Sequence, residues 1–292
     1  MTMNIWMDGN HVDDGVKKIA KHVEIVDPDI LTIQEIHYEV TAEDIITNLA
    51  NATLWKYVFE SGFDTAILTK HKILNTSTSG TVAMYARIEL PSGLRVNAWS
   101  MHADYRAYGP YAACNGMVKN ASIIMVGESA PFGEKEASRV NDIRTLLGSV
   151  EVKSAFDSLD TEPMIVAGDF NSPSHLDWIE AARHRHCGWA FEWPATKMMT
   201  DANFTDSFRE IYPDPLTKPC RTWSAVEKGN NEWNYELPEP QDRIDFIFYQ
   251  GPIGANRSAL YGGSEPIHIS PNHQKNDWPS DHFAVFTDFV IY

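Results

Sequence analysis

The chain alternates between short apolar runs and segments whose apolar residues recur at helical spacing, which is typical of an α/β protein. Helical spacing predicts helices at Asp13–Val26 and Glu136–Leu147, and Thr41 with Asp44 resembles a capping box that opens a further helix. Runs rich in Val, Ile and aromatic residues predict strands at Met1–Trp6, Ile30–Ile36, Thr65–Leu68, Thr81–Leu90, Leu94–Met101, Met164–Ala167, Arg243–Tyr249 and His282–Ile291.

The length and composition indicate one large globular unit. The 292 residues are 43% hydrophobic and contain no internal repeat, low-complexity tract or Gly/Ser linker. We therefore predict a single domain over residues 1–292, and we expect a monomer. The segment from Trp189 to Glu239 is rich in Pro, Trp and Asn, and we expect it to form loops that shape a site.

The formal charge of −16 argues against broad electrostatic capture of nucleic acid, although a bound metal ion could supply local positive charge. No apolar stretch is long enough to span a membrane, and the chain does not begin with the pattern of a signal peptide. Because the predicted strand Met1–Trp6 starts at Met1 itself, a longer precursor could have been trimmed. We expect a soluble protein, cytoplasmic or, if a precursor segment was removed, secreted.

Three cysteines, Cys114, Cys187 and Cys220, are too few for a disulfide framework. We expect three reduced, mostly buried thiols, with one bridge and a spare thiol as the alternative. The run His184–Cys187 has a ligand spacing too tight for the usual structural zinc sites, and a helix end explains it better. Arg139 falls on the polar face of its predicted helix, where we expect an ordinary surface or salt-bridge residue.

Metal-binding or proton-transferring side chains stand at the ends of the predicted strands. They occur at Asn4, Gln34-Glu35, His102, Gly168-Asp169-Phe170-Asn171, Arg243-Ile244-Asp245 and Ser280-Asp281-His282. A carboxylate at a strand end is held by the sheet yet reaches solvent, and hard cations such as Mg²⁺ prefer such oxygen ligands. Each motif alone is weak evidence, but all of them in this order favour a functional, metal-binding site over ordinary strand ends.

The order of these motifs resembles the endonuclease/exonuclease/phosphatase superfamily, and the resemblance runs from the first predicted strand to the last. It implies a four-layer α/β sandwich, in which two mostly antiparallel sheets pack face to face with helices outside. It also implies a site at one end of the sandwich that binds Mg²⁺, with Mn²⁺ or Ca²⁺ as alternatives. Whether the site holds one metal ion or two stays open.

The resemblance further implies which residues hold the metal and which activate water. Glu35 is expected to be the principal metal ligand, with Asn4 and Asp281 supporting the metal or its waters. Asp169 is expected to orient or deprotonate the attacking water. His102 occupies a position where some relatives carry a catalytic histidine, and the sequence does not decide between Asp169 and His102 as the general base.

The resemblance assigns the remaining motif residues to the phosphate. Asn171 is expected to donate a hydrogen bond to the scissile phosphate, and His282, oriented by Asp245, to stabilise the anionic transition state. These roles are physically coherent, because a charged imidazole and an amide donor stabilise developing negative charge. The segment after His102 should overhang the site, where Arg106 could bind phosphate and Tyr108 could line a leaving-group pocket. An ordinary surface loop is the alternative.

The substrate is less well determined than the chemistry. Gly168–Asn171 followed by Ser172 is shared by nuclease-like members, whereas Glu239–Arg243 lacks the Trp-Cys pair of inositol 5-phosphatases. We therefore predict a phosphodiesterase of the nuclease-like kind that contacts nucleic acid only locally. The alternatives are a phosphomonoesterase and a lipid phosphodiesterase. A non-catalytic effector that retained the fold is a less favoured alternative, because all motif residues are present.

Overall fold

The computed structural model describes residues 1–37, 39–60, 63–130, 138–230 and 233–292. Two six-stranded sheets form its centre. The first sheet contains β1 (Thr2–Asn4), β2 (Ile30–Gln34), β3 (Lys56–Phe59), β4 (Thr65–Thr69), β11 (Ile253–Tyr261) and β12 (Ala284–Ile291). The second sheet contains β5 (Lys72–Ser79), β6 (Ala83–Glu89), β7 (Arg95–His102), β8 (Met164–Asp169), β9 (Thr205–Asp206) and β10 (Asp245–Gln250).

The two sheets have matching topologies. The strand order is β11-β12-β1-β2-β4-β3 in the first sheet and β5-β6-β7-β8-β10-β9 in the second. β1 pairs with β2, and β7 with β8, in parallel, and the other pairs of named strands are antiparallel. Ile67 of the first sheet and Met84 of the second belong to one buried apolar cluster, so the sheets pack face to face.

Helices cover the outer face of each sheet. They are α1 (Gly15–Val26), α2 (Glu39–Thr47), α3 (Gly109–Cys114), α4 (Ala121–Ser129), α5 (Arg139–Gly148), α6 (Val150–Asp157), α7 (Pro194–Asp201) and α8 (Ser207–Ile211). Val23 of α1 packs in one cluster with Leu31 of β2, and Ile143 of α5 packs in another with Val166 of β8. The architecture is the expected four-layer α/β sandwich. Within the described ranges, no helix has the length and apolar character needed to cross a membrane.

Some predicted elements are wrong or incomplete. The strand Lys72–Ser79 was not predicted, because it is a largely polar edge strand without an apolar run. Thr41 does not cap a helix, since α2 already begins at Glu39. The segment Trp189–Glu239 is not only loop, because it also forms α7, β9 and α8.

The helix α5 differs from its prediction at its start and on its buried face. Glu136 lies outside the described residues, and the helix begins at Arg139 with Ser138 as its N-cap. Arg139 is not a surface residue: it is 1% exposed and forms an ion pair with Glu128. Both charges sit on the inward faces of neighbouring helices, a placement that only the packing of α4 against α5 determines.

The expectation of three reduced thiols is also wrong. Cys114, at the end of α3, forms a disulfide with Cys187, although 73 residues separate them in sequence. Cys220 is the free cysteine, and burial raises the pKa of its thiol to about 12. The disulfide ties the segment that follows His102 to a distant loop.

Candidate active site

The residues predicted for catalysis form a row across the second sheet. His102, at the end of β7, pairs in register with Asp169 at the end of the parallel strand β8. Asp245, at the start of β10, pairs with Asp169 from the other side. Strand register therefore brings together three residues that are far apart in sequence.

Asn4 connects the two sheets at the site. Its Nδ2 atom donates to Glu35 Oε1 at 3.0 Å and to Asp169 Oδ2 at 3.1 Å. Glu35 Oε2 accepts from the backbone N–H of Met7 at 2.9 Å. Glu35 itself has a φ of 61°, a left-handed conformation that is rare for a residue with a Cβ and is concentrated at functional sites. The expected metal ligand is thus held by contacts from the end of β1.

His282 lies between three carboxylates. Its Nδ1 atom is 2.9 Å from Asp245 Oδ2, and its Nε2 atom is 3.7 Å from Asp169 Oδ2 and 4.0 Å from Asp281 Oδ1. Burial alone would lower the pKa of His282, but Asp245, Asp169 and Asp281 together raise it well above its usual value. The geometry therefore favours a charged imidazole with Nε2 directed towards Asp169.

The backbone around His282 is fixed by three hydrogen bonds. Ser280 Oγ donates to the carbonyl oxygen of Asn4 at 2.7 Å and accepts from the N–H of His282 at 3.0 Å. The buried Trp278 donates from Nε1 to the His282 carbonyl at 2.6 Å. Because these contacts join the residues just before β12 to β1, the first sheet positions the His282 side chain.

His102 has a carboxylate partner that was not predicted. Its Nδ1 atom is 2.6 Å from Asp64 Oδ2, and its Nε2 atom is 3.7 Å from Asp169 Oδ2. Burial alone would lower the pKa of His102, but Asp64, followed by Asp169 and Glu35, raises it to about 10. Asp64 directly precedes β4, so it repeats the strand-end pattern that identified the other site residues.

Asp169 and Asn171 share the exit of β8. Asp169 is 1% exposed, and burial, followed by the charge of Asp245, raises its pKa to about 6. The backbone N–H of Asn171 donates to Asp169 Oδ1 at 2.8 Å. One N–H of the Asn171 side chain donates to the carbonyl of Ala103 at 2.9 Å, so only its second N–H is left for a phosphate oxygen.

The donor set suits a hard divalent cation. Asp281 Oδ1 and Asp245 Oδ1 are buried without a hydrogen-bond partner among the described residues, a costly state unless a cation or water binds them. Burial, followed by the charge of Glu35, raises the pKa of Asp281 to about 7, which positive charge at that place would relieve. Ligand atoms of Asp169, Asp245 and His282 also lie within 4.8 Å of one another. In that second group, however, His282 Nδ1 and Asp245 Oδ2 already contact each other at 2.9 Å.

The two residues expected to bind substrate have partners within the protein. Arg106 forms an ion pair with Asp104, with Nε 2.9 Å from Oδ1. Tyr108 donates from its hydroxyl to the buried Asp242 Oδ2 at 3.1 Å, and its ring contacts Trp223. Tyr108 is therefore part of the site's wall, whereas Arg106 would have to share its charge with Asp104 to bind a phosphate.

Arg139 supports the segment that carries Arg106 and Tyr108. Its guanidinium donates to the carbonyls of Asp104 at 2.9 Å, of Arg106 at 2.6 Å and of Ala107 at 2.8 Å. A buried charge that satisfies three backbone acceptors fixes the path of a loop without regular secondary structure. Nothing in the local sequence indicates this role, because the residues around an inward-facing arginine do not differ from those around an exposed one.

Comparison with known proteins identifies the family. The Endonuclease/Exonuclease/phosphatase family matches residues 1–282. The chain belongs to this family. The enzyme is a hydrolase of phosphate ester bonds with a DNase I-like fold, and the family depends on divalent metal ions. A relative from Caenorhabditis elegans, "Uncharacterized protein F14F9.5", is 44% identical over 296 residues, which cover 100% of this chain and 90% of that protein.

Solved structures of family members share the fold at low sequence identity. TDP2 of D. rerio, complexed with a single-strand DNA product, has a TM-score of 0.57 and 16% identity, covering 99% of this chain and 97% of that one. An endonuclease/exonuclease/phosphatase from Bacteroides vulgatus has a TM-score of 0.58 and 15% identity, covering 100% and 97%. Truncated Caenorhabditis elegans TDP2 has a TM-score of 0.56 and 17% identity, covering 100% and 96%.

Proposed function

We propose that this family member is a phosphodiesterase that uses Mg²⁺, or Mn²⁺ or Ca²⁺ in its place. The observation that carries the proposal is the convergence of cationic and amide groups on Asp169. His102 Nε2 and His282 Nε2 each lie 3.7 Å from Asp169 Oδ2. The Asn4 amide donates to the same oxygen. A phosphate and its attacking water placed there would meet a carboxylate, two imidazoles and an amide at once.

The metal site is assigned to Glu35, Asn4 and Asp281. Glu35 is fixed by Asn4 and by the Met7 backbone, and Asp281 Oδ1 is buried with no hydrogen-bond partner in the part of the chain that the structure describes. A divalent ion bound there supplies positive charge against the phosphate oxygens. The protein's own contribution is to hold the ligand oxygens of these three residues in place, because each residue lies at a strand end or is hydrogen-bonded to one.

The residues have separate proton roles. His282 stays protonated because of Asp245, so its Nε2–H stabilises negative charge on the phosphate oxygens. Asp169 accepts the proton of the attacking water, and its pKa of about 6 keeps it ionised near neutral pH. A pKa of about 10 leaves His102 without a free lone pair at neutral pH, which supports Asp169 rather than His102 as the general base.

The pairing of three arginines with carboxylates favours a diester over a monoester as the substrate. Arg106 is paired with Asp104, Arg139 with Glu128, and Arg243 with Asp177. A monoester or an inositol polyphosphate brings more negative charge than a diester and needs more cations to neutralise it. With a net charge of −16, nucleic acid would be contacted locally at most.

The test is hydrolysis of bis(4-nitrophenyl) phosphate and of 4-nitrophenyl phosphate, each with Mg²⁺ and with EDTA. We expect the diester to be the better substrate and EDTA to abolish turnover. Glu35→Gln should weaken Mg²⁺ binding and activity while the fold persists, whereas the same change at the exposed Glu24 should have no effect. Activity that survives EDTA and Glu35→Gln would contradict the proposal, and faster monoester hydrolysis would contradict the diester assignment.

A further inference from the structure

Three aromatic side chains form a wall beside His282. The ring of Trp223 lies 6.2 Å from that of His282, and its Nε1 donates to Asp281 Oδ2 at 3.3 Å. The ring of Tyr108 meets Trp223 at 85° with centroids 6.0 Å apart, and meets Tyr111 at 78° with centroids 5.8 Å apart. All three side chains are only partly buried. We name Tyr108, Tyr111 and Trp223 the aromatic corner.

Buried carboxylates stand behind the aromatic corner. The Tyr108 hydroxyl donates to Asp242 Oδ2 at 3.1 Å, and the Tyr111 hydroxyl donates to Glu239. Both carboxylates are close to fully buried. A phenol that donates to a carboxylate has a more electron-rich ring, and the face of such a ring attracts cations. The corner therefore combines electron-rich ring faces with nearby buried negative charge, and both stabilise an organic cation.

The two arginines that lie on or support the segment carrying Tyr108 are already paired with carboxylates. Arg106 contacts Asp104, and Arg139 contacts Glu128 and three backbone carbonyls. The whole chain carries a net charge of −16. A second phosphate placed against the corner would thus meet negative charge and ring faces, whereas an ammonium group would be attracted by both.

The geometry points to a cation subsite: the aromatic corner binds an ammonium group on one alcohol of the phosphodiester. The inference rests on the proposed phosphodiesterase function and names the class of diester. The phosphate occupies the site of Glu35 and His282, and the ammonium group occupies the corner. Such a substrate has no net charge, so the acidic protein does not repel it as it repels a polyanion.

The test compares two diesters of equal shape. In 4-nitrophenyl phosphocholine the alcohol carries a quaternary nitrogen, and in 4-nitrophenyl 3,3-dimethylbutyl phosphate a carbon replaces that nitrogen. Cleavage of either ester bond is followed by ³¹P NMR. We expect kcat/KM to favour the choline diester by about tenfold or more, since cation–π contacts in desolvated sites reach this size.

Variants of the corner decide whether it causes the preference. Tyr111→Leu should bring the ratio of the two kcat/KM values close to one, whereas Tyr111→Phe, which keeps the ring, should largely retain it. Tyr105→Leu is the matched control, because Tyr105 lies in the same segment but is 69% exposed and outside the corner. The ratio between isosteric substrates cancels any general loss of folded enzyme.

Each outcome bears on one claim. If the wild type cleaves both diesters at similar rates with Mg²⁺, the cation subsite is wrong and the phosphodiesterase function stands. If it cleaves neither of them nor bis(4-nitrophenyl) phosphate, the phosphodiesterase function is wrong. Calorimetric titration with tetramethylammonium chloride, compared with the uncharged tert-butanol, then tests the corner directly. Tetramethylammonium binding that is lost in Tyr111→Leu and kept in Tyr105→Leu would still support the subsite, and absence of binding would overturn it.

Discussion

Replacing His282 and Asp245, singly and together, tests whether the two side chains act as one unit. His282 Nδ1 is 2.9 Å from Asp245 Oδ2, which leaves Nε2 to face the substrate. His282→Ala removes a preorganised charge, and such losses cost about 3–4 kcal/mol of transition-state stabilisation, roughly a 10²- to 10³-fold loss in rate. The structure predicts that most of the effect of Asp245 passes through this imidazole.

Asp245→Asn should cost less than His282→Ala. It preserves the shape of the side chain but converts a charge-assisted hydrogen bond into a neutral one, a loss of about 1–3 kcal/mol. In the His282→Ala background there is no imidazole left to orient or charge. We therefore expect the same Asp245→Asn change to cost less than about 0.5 kcal/mol there, as for residues that act through each other.

The assay is kcat/KM for bis(4-nitrophenyl) phosphate at saturating Mg²⁺, with the exposed Asp160→Asn as the control substitution. The pH profile gives a second measure. Because Asp245 raises the pKa of His282, its removal should lower that pKa, so activity should be lost at a lower pH on the alkaline side. Additive losses in the double variant, or an unchanged alkaline limb, would refute the coupling.

Three further predictions concern stability, each measured as the free energy of unfolding in urea. Arg139→Leu should destabilise the fold by roughly 3–5 kcal/mol, because it leaves the buried charge of Glu128 unpaired; a cost below about 1 kcal/mol would contradict the buried pair. Burial raises the pKa of Asp142 to about 6, so ionisation of this carboxyl should destabilise the wild type as pH rises from about 4 to 6. In Asp142→Asn, which cannot ionise there, the free energy of unfolding should fall by roughly 2 kcal/mol less over the same pH range. Reducing the Cys114–Cys187 bridge should cost about 4 kcal/mol from its 73-residue separation, and a reductant without effect would show that the bridge is absent in solution.

The amino-acid sequence alone was enough to predict the fold class and to place the candidate site residues at the ends of strands. Apolar runs gave most of the strands because a buried strand must be apolar whatever surrounds it. Glu35, Asp169 and His282 stood out because each interrupts or ends such a run with a group that is costly to bury without a function. The order of these motifs along the chain then sufficed to indicate the family that the comparison identifies.

Local sequence could not supply contacts between distant segments. Asp64 belongs to the site only because β4 brings it to His102, 38 residues away in sequence. Cys114 meets Cys187 through the folding of α3 against a distant loop.

Other features were decided by the direction in which a side chain points. The position of Arg139 in its helical pattern suits the exposed face of a surface helix. The packing of α4 against α5 nevertheless places Glu128 beside it in the interior. The aromatic corner likewise joins Tyr108 and Tyr111 to Trp223 across more than 100 residues of chain. Hydrophobic patterning records which positions are buried, whereas the partner of each buried polar group depends on how separate elements pack, and only the tertiary structure fixes that.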